Sequence, residues 1–380
     1  MIAQKPIEAF LEERHLGLTD EVSRLSLPPE PTDDAAARAA ARAIAQSLGR
    51  AGLVAHAVRP DLRACAVIRE RLAASSPLAD AVFALQALGT MPIVIAGGEE
   101  TRRWIPKVVA GEAMAAFAMT ESGAGSDVSA IATTARRDGA DYVLDGGKRF
   151  ISNAGIADFY VVFASTDPAA GRRGLSAFVV PAAAAGLRFV SPQALSVPHP
   201  LGEIAFERCR VPASARLGAE GDGFAIGMET LDRLRATVAA AACGMAARAL
   251  DEATRHALAR RQFGKRLADF QLVQDKLARM AIDLAAARLL TYAAVWEKDR
   301  AQGARVTVPS AMAKAFATEA AQRIVDEAVQ ILGGAGLLAD HPVDRLYRAV
   351  RALRIYEGTT EIQHLVIASH LIKEAEAPRG

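Results

Sequence analysis

The chain is 380 residues long, 51% hydrophobic and 23% charged, and its 45 Lys and Arg against 43 Asp and Glu leave a formal charge of +2. A balance this near neutral argues against nucleic-acid binding over the whole surface and leaves only a local basic patch possible. No apolar stretch is expected to reach the roughly 20 residues that span a bilayer, and at about 100–200 residues per domain the length implies two or three domains.

Because only 5% of the residues are aromatic, the core must be mostly Ala, Leu, Val and Ile. Alanine is the best helix former, so runs such as Ala35–Ala45 and Ala239–Ala249 predict a largely helical enzyme with closely packed helices. From Pro6 to about Glu112 the period is helical, broken at Leu27–Pro31 and near Arg59-Pro60, with Asp33 or Asp34 placed to cap the helix that follows. After Ala115 the pattern changes to short β-branched or aromatic segments: 133–136, 141–144, 159–163, 175–180 and 203–206. Asp138-Gly139 and Asp145-Gly146 are read as hairpin turns, since glycine supplies the positive φ such turns need. Beyond about Gly221 the helical period returns. Phe270, Val273, Leu277, Met280, Leu284 and Ala287 recur in steps of three and four, one helix face that reads more readily as core than as a cofactor box. The predicted architecture is α+β but mostly α: an N-terminal helical domain (1–114), a central antiparallel β-barrel domain (115–215) and a C-terminal four-helix-type bundle (216–380).

Cys65, Cys209 and Cys243 are too few and too scattered for a disulfide framework or a Cys-based zinc site, and read as buried small hydrophobes. No metal is expected. The N-terminus reaches Glu8, Glu12 and Glu13 without the apolar core of a signal peptide, so a reducing cytoplasm is the expected location.

Three segments could carry chemistry. Thr120–Asp127 (TESGAGSD) has glycines that let backbone N–H groups approach an oxygen-rich ligand and hydroxyls on Thr120 and Ser126; it is not a phosphate loop of the Walker type, and it could equally be a tight turn. Arg260–Arg266 carries four cations in seven positions, compatible with a solvated helix end or with a pyrophosphate gripped by guanidinium forks. Glu357 precedes Gly358 and the Thr359/Thr360 caps of a last helix; it is an ordinary helix-start charge, or, if it faces an apolar cleft, a carboxylate raised in pKa into a general base. Asp232 with Arg235, and Asp251 with Arg255, are spaced for local ion pairs on one helix side.

In order and spacing, from about Leu78 to Leu371, these segments resemble the acyl-CoA dehydrogenase family. The resemblance implies that family's three-part fold, FAD bound between the β domain and the bundle, an acyl-CoA substrate, an electron-transfer flavoprotein as acceptor, and a homotetramer built as a pair of dimers. It implies that Phe117, Met119, Thr120, Gly125 and Ser126 lie against the flavin, with Ser126 near substrate or pyrophosphate. Phe150, Ile151 and Ser152 stand where the family usually has Trp-Ile-Thr: the hydroxyl is kept, the indole N–H is not. Ser122 replaces a common proline. Arg260, Gln262, Phe263 and Gln271 match residues that hold the pyrophosphate and adenosine, with Gln330, Gly333 and Gly334 as the second half of that intersubunit site. Thr359 and Glu361 match contacts to the adenine-side phosphate and ribose, Asp232 and Arg235 the pair that meets CoA, Met91 and Gly358 the substrate. Glu357 aligns with the catalytic carboxylate; the alternative position on the long helix is Leu234, which cannot accept a proton. The resemblance also leaves open a flavin oxidase acting on acyl-CoA or nitroalkanes, and, less favoured by the charge balance, a DNA-binding flavoprotein of the same superfamily.

Overall fold

The structure is a computed structural model that describes residues 5–59, 61–301 and 306–377. The backbone forms two compact units. A sheet unit comprises Leu25–Pro60 and Ala81–Leu231; a helical unit comprises Met1–Arg24, Asp61–Asp80 and Asp232–Gly380.

The sheet unit is built on β1 (Ala115–Ala118), β2 (Thr134–Asp138), β3 (Asp141–Ser152), β4 (Phe159–Ser165), β5 (Leu175–Pro181), β6 (Leu187–Pro192), β7 (Leu201–Pro212) and β8 (Arg216–Leu217). Their order is β6-β7-β3-β2-β4-β5-β8, with β1 beside β4. The sheet is mixed, not wholly antiparallel as expected: β1 and β2 both run parallel to β4. Turn signals reveal only hairpins between neighbours in sequence, whereas a parallel pair is made by chain that leaves and returns, here through the 119–133 loop and the β2–β3 hairpin. That hairpin turns at Gly139 (φ +64°), as Asp138-Gly139 requires. Asp145-Gly146 does not turn the chain. Gly146 (φ +140°) lies inside β3 at a register shift against β7, a bulge in a continuous strand.

The Asp34–Arg50 helix is capped by Asp33, whose carboxylate accepts the Ala36 N–H at 2.8 Å. Arg38 fastens it to the sheet by donating to the carbonyls of Ala154 (2.5 Å) and Leu201 (2.7 Å). One expectation fails on the Pro77–Ala96 helix, which is long and apolar enough by length and composition to cross a membrane. Its most apolar window is 67% buried inside the protein, where its surface meets protein neighbours.

In the helical unit the Gly223–Ala259 helix from Asp232 onward and the Gln271–Arg300, Thr307–Leu332, Pro342–Leu353 and Thr360–Glu376 helices supply the bundle, packed with Leu62–Ser75. Of the predicted core stripe, Met280, Leu284 and Ala287 are buried, while Phe270, Val273 and Leu277 are half-buried at the helix start. Leu62–Ser75 comes so near Gly223–Ala259 that a Cβ on Gly244 would sit 2.0 Å from the Glu70 carbonyl oxygen. The Glu70 side chain is buried there, accepting from Arg288 Nε and the Tyr292 hydroxyl, each at 2.8 Å. Cys65, Cys209 and Cys243 are buried free thiols, as expected.

Candidate active site

Glu357 sits in the turn between the Pro342–Leu353 and Thr360–Glu376 helices, with its backbone in the left-handed region (φ +54°) and Gly358 after it at φ +90°. A non-glycine residue held there is strained, and the strain persists only where surrounding contacts over-determine the turn. They do. The Gly358 carbonyl accepts from Lys314 Nζ (2.7 Å) and Gln363 Nε2 (2.9 Å), and Thr359 caps the last helix through the Ile362 N–H (3.3 Å). Glu319 receives both Arg354 Nε (2.6 Å) and the Thr360 hydroxyl (2.8 Å), closing the turn from its other end.

Within this frame Glu357 Oε2 is shielded from solvent and has no hydrogen-bond partner among the described residues. Burial pushes its pKa above the ordinary glutamate value, with Asp80 adding to the rise; Arg69, Lys314 and Arg235 oppose it. Arg69 itself is engaged by Asp80 (2.8 and 3.0 Å) and by the Thr237 hydroxyl (2.9 Å). Arg235 is buried, and its Nε and Nη1 have no hydrogen-bond partner among the described residues. It stands 3.9 Å from Asp232, whose nearer partner is Lys298 Nζ at 2.7 Å, so the expected local pair is loose; the Asp251–Arg255 pair forms at 2.7 Å. Leu234 is buried and apolar. Among the described residues the site therefore holds two carboxylate oxygens without hydrogen-bond partners, on Glu357 and Asp232, and in Arg235 a cation with free donors, suited to taking a proton next to a polarised or anionic group.

In the sheet unit the structure brings the 117–126 segment beside 148–152. The Arg149 N–H donates to the Thr120 carbonyl at 2.9 Å, and Lys148 Nζ donates to the Met119 carbonyl (3.1 Å) and to Glu121 Oε1 (2.6 Å). Glu121 also accepts the N–H groups of Ala132 (2.7 Å) and Thr133 (3.0 Å), pinning both ends of the loop. Burial draws the Lys148 pKa down to about 8; burial alone would raise Glu121, but the Lys148 ammonium holds it below the usual glutamate range. Beyond the pin, Gly123, Gly125 and Ser126 are exposed, with open space where Cβ atoms on the glycines would go, so a ligand can approach the backbone. Phe117 packs on Phe163, ring centroids 4.9 Å apart, and Met119 and Ile151 are buried. Phe150 is exposed in the left-handed region (φ +57°), its N–H donating to Gln193 Oε1 at 2.9 Å. The Ser152 hydroxyl meets His199 Nε2 at 2.8 Å, and burial lowers His199 to about 4, so that the imidazole is neutral. Met91 is buried on the Pro77–Ala96 helix, which Gln86 ties to β1 by accepting the Ala115 N–H at 3.0 Å.

The Arg260–Arg266 segment is not a helix end. Arg261–Gln262 and Lys265–Arg266 form a two-stranded ribbon turned by Phe263 (φ +52°) and Gly264 (φ +79°), the two positive φ values of a type I′ turn. Phe263 at its tip is 93% exposed. Lys265 Nζ lies 4.1 Å from the Phe270 ring centroid and Arg266 pairs with Asp269 at 2.7 Å, while Arg260 and Arg261 are exposed beside them. Gln271 starts the following helix; Gln330, Gly333 and Gly334 are exposed at the end of Thr307–Leu332, and Glu361 is exposed in the first turn of the last helix.

Sequence reasoning missed Lys148, Glu121, Lys314, His199 and the Arg69–Asp80 pair. A signal existed for one of them: Lys314 lies among Ala311, Ala313, Ala315, Ala317 and Thr318, a lone cation on a helix face otherwise small and buried.

Family models agree with this geometry. Residues 116–209 match the acyl-CoA dehydrogenase middle domain and residues 221–372 the acyl-CoA dehydrogenase C-terminal domain. Among curated relatives, a 3-(aryl)acrylate reductase of Clostridium sporogenes is 41% identical over 317 residues, covering 82% of this chain and 84% of its own. The mitochondrial short-chain specific acyl-CoA dehydrogenase of Homo sapiens is 40% identical over 334 residues, covering 87% and 79%. Among solved structures, butyryl-CoA dehydrogenase from Megasphaera elsdenii superposes with a TM-score of 0.89 at 32% identity, covering 95% of this chain and 99% of that one. An acyl-CoA dehydrogenase complexed with FAD from Bacillus anthracis gives 0.88 at 28% identity, covering 96% and 68%. The chain belongs to the acyl-CoA dehydrogenase family. It is an enzyme of that type, an oxidoreductase acting on CH–CH groups.

Proposed function

We propose that the protein removes two hydrogens from an acyl-CoA thioester to give the trans-2-enoyl-CoA, with Glu357 as the base. The cofactor is FAD. The residue set fits it: exposed Arg260 and Arg261 with the Phe263 ring suit a pyrophosphate and an aromatic base, and an approachable glycine backbone flanked by Thr120 and Ser126 suits the flavin side. Gln262, Gln271, Gln330, Gly333, Gly334, Thr359 and Glu361 complete the dinucleotide contacts, and Phe117, Met119, Gly125, Phe150, Ile151 and Ser152 the ring contacts. When bound, FAD supplies the acceptor for the β-hydride.

The observation that carries this reading is the shielded, unpartnered Oε2 of Glu357. An α-proton of a saturated thioester is weakly acidic, and a carboxylate raised in pKa by burial is a stronger base than one in water. The backbone N–H of Glu357 would donate to the thioester carbonyl and stabilise the enolate as the proton leaves. Arg235 and Asp232 would meet the CoA portion, and Met91 and Gly358 the acyl and thioester portions. Electrons leave to an electron-transfer flavoprotein. The assembly is a homotetramer, consistent with the apolar exposure of Leu337, Leu338, Leu365 and Ile372 on the helical unit and of Phe263 at the ribbon tip, which would reach a neighbour's cofactor.

Glu357→Gln is expected to retain FAD and lose anaerobic flavin bleaching by acyl-CoA by several orders of magnitude. Because the base works deprotonated and its pKa is raised, the parent rate should fall with decreasing pH at a midpoint above 4.5. A Gln variant that bleaches at the parent rate refutes the assignment.

A further inference from the structure

We propose that Lys314 is a positioning residue for Glu357: it clamps the Gly358 carbonyl, holding the left-handed turn that carries the carboxylate, and sets a buried positive charge beside that carboxylate. This rests on Glu357 being the base and adds the residue that prepares it.

The geometry sets Lys314 apart from the other groups around the turn. Its side chain is wholly buried in the Thr307–Leu332 helix, where lysine is rarely tolerated, and its Nζ is spent on one acceptor, the Gly358 oxygen at 2.7 Å. Gln363 donates to the same oxygen at 2.9 Å, so the hydrogen bond alone does not explain a cation there. What the cation adds is charge. Lys314 acts on Glu357 through its field, as do Arg69 and Arg235. Arg69 acts most strongly of the three but is held by Asp80, whose own charge pushes Glu357 the other way, and Arg235 has Asp232 near it. Among the described residues Lys314 has no carboxylate as a hydrogen-bond partner. The groups that face Lys314 are Glu357, Arg235, Glu319 and Glu361; those that face Glu357 are Arg69, Lys314, Arg235 and Asp80. Burial draws Lys314 down to about 8, so it is charged at neutral pH at the expense of its solvation. The charge restrains a carboxylate that burial would otherwise leave protonated, and the clamp keeps its strained backbone from relaxing.

The test separates proton removal from electron transfer. Acetyl-CoA has α-hydrogens but no β-carbon, so it can exchange with D2O yet cannot be dehydrogenated, and mass spectrometry of the recovered thioester reads the base alone. In Lys314→Met holoenzyme the exchange rate should fall at least tenfold, and its low-pH midpoint should move up by about one pH unit, because removing a cation stabilises protonated Glu357. Lys314→Arg should restore the midpoint, and Lys314→Gln, a neutral donor, should not. The proposal is overturned if the Met or Gln variant keeps the parent midpoint and rate. Glu357→Gln is run in parallel: exchange at the parent rate in that variant sinks the base assignment itself, whereas abolished exchange there with an unchanged Lys314→Met sinks only the role of Lys314. Should the Met variant fail to fold with FAD, the midpoints of the Arg and Gln variants still decide the matter.

Discussion

Replacing Lys148 by Met removes a buried ammonium that donates to Glu121 Oε1 at 2.6 Å and to the Met119 carbonyl at 3.1 Å. Two effects oppose each other. Stripping the cation from buried Glu121 costs about 3–5 kcal/mol, the usual penalty for breaking a buried pair from one side. Against that, burial outweighs the Glu121 attraction and draws the Lys148 pKa down to about 8, so removing the ammonium returns about 3 kcal/mol. Glu121 also keeps the Ala132 and Thr133 N–H groups. The net loss should be about 0–2 kcal/mol. Glu121→Gln leaves the ammonium buried with a carbonyl and a neutral amide, and should cost about 3 kcal/mol or more. The double variant has no buried charge at this point, so it should be more stable than Glu121→Gln alone, with a coupling of about 2 kcal/mol or more. The chain has two tryptophans. In a Trp296→Phe background the fluorescence of Trp104, 4.7 Å from Phe159 between ring centroids, reports urea unfolding of the sheet unit. Protein and FAD concentrations must be fixed, because ligand and subunit binding shift apparent stability. With a slope of about 2–3 kcal/mol/M, Glu121→Gln should lower the midpoint by about 1 M and the double variant by less. Additivity within about 0.5 kcal/mol would refute the claim that this pair acts as one electrostatic unit under the 120–127 loop.

Gly358→Ala puts a Cβ on a residue at φ +90°, 2.5 Å from Gln363 Nε2; strain of about 1–3 kcal/mol should be relieved by turn movement, so kcat should fall tenfold or more while the FAD absorbance is kept. Parent kcat in that variant would show that the turn is not what holds Glu357 in place. Gly244→Ala meets the Glu70 carbonyl oxygen at 2.0 Å, a backbone atom that cannot swing aside. It should destabilise the helical unit by about 3 kcal/mol, read as a lowered urea midpoint of Trp296 fluorescence in a Trp104→Phe background, and an unchanged midpoint would refute the close-packing argument.

The local pattern of the chain determined a good deal: the helix, strand and helix succession, the Asp33 cap, the Gly139 hairpin, the Thr359 cap and Glu357 as the acid after the apolar run. These depend on neighbours a few positions away, through hydrogen bonds and φ preferences that a sequence displays directly. The apolar run at 77–96 shows where that stops, since only its surroundings distinguish a core helix from a membrane span. The same holds for Asp145-Gly146, whose glycine suits a turn and a bulge equally until β7 lies alongside.

Tertiary structure alone decided what stands around Glu357. Arg69, Asp80, Arg235 and Lys314 lie up to 288 positions from Glu357, and each is by itself an ordinary charged residue on a helix. Their effect arises from burial, because removing water strengthens every charge interaction and makes an unpartnered carboxylate oxygen basic. Lys148 and Glu121 follow the same rule, 27 residues apart and joined only when β3 passes beneath the loop. A motif can place a glutamate in a turn. Its pKa and its backbone strain come from distant segments that folding packs against it.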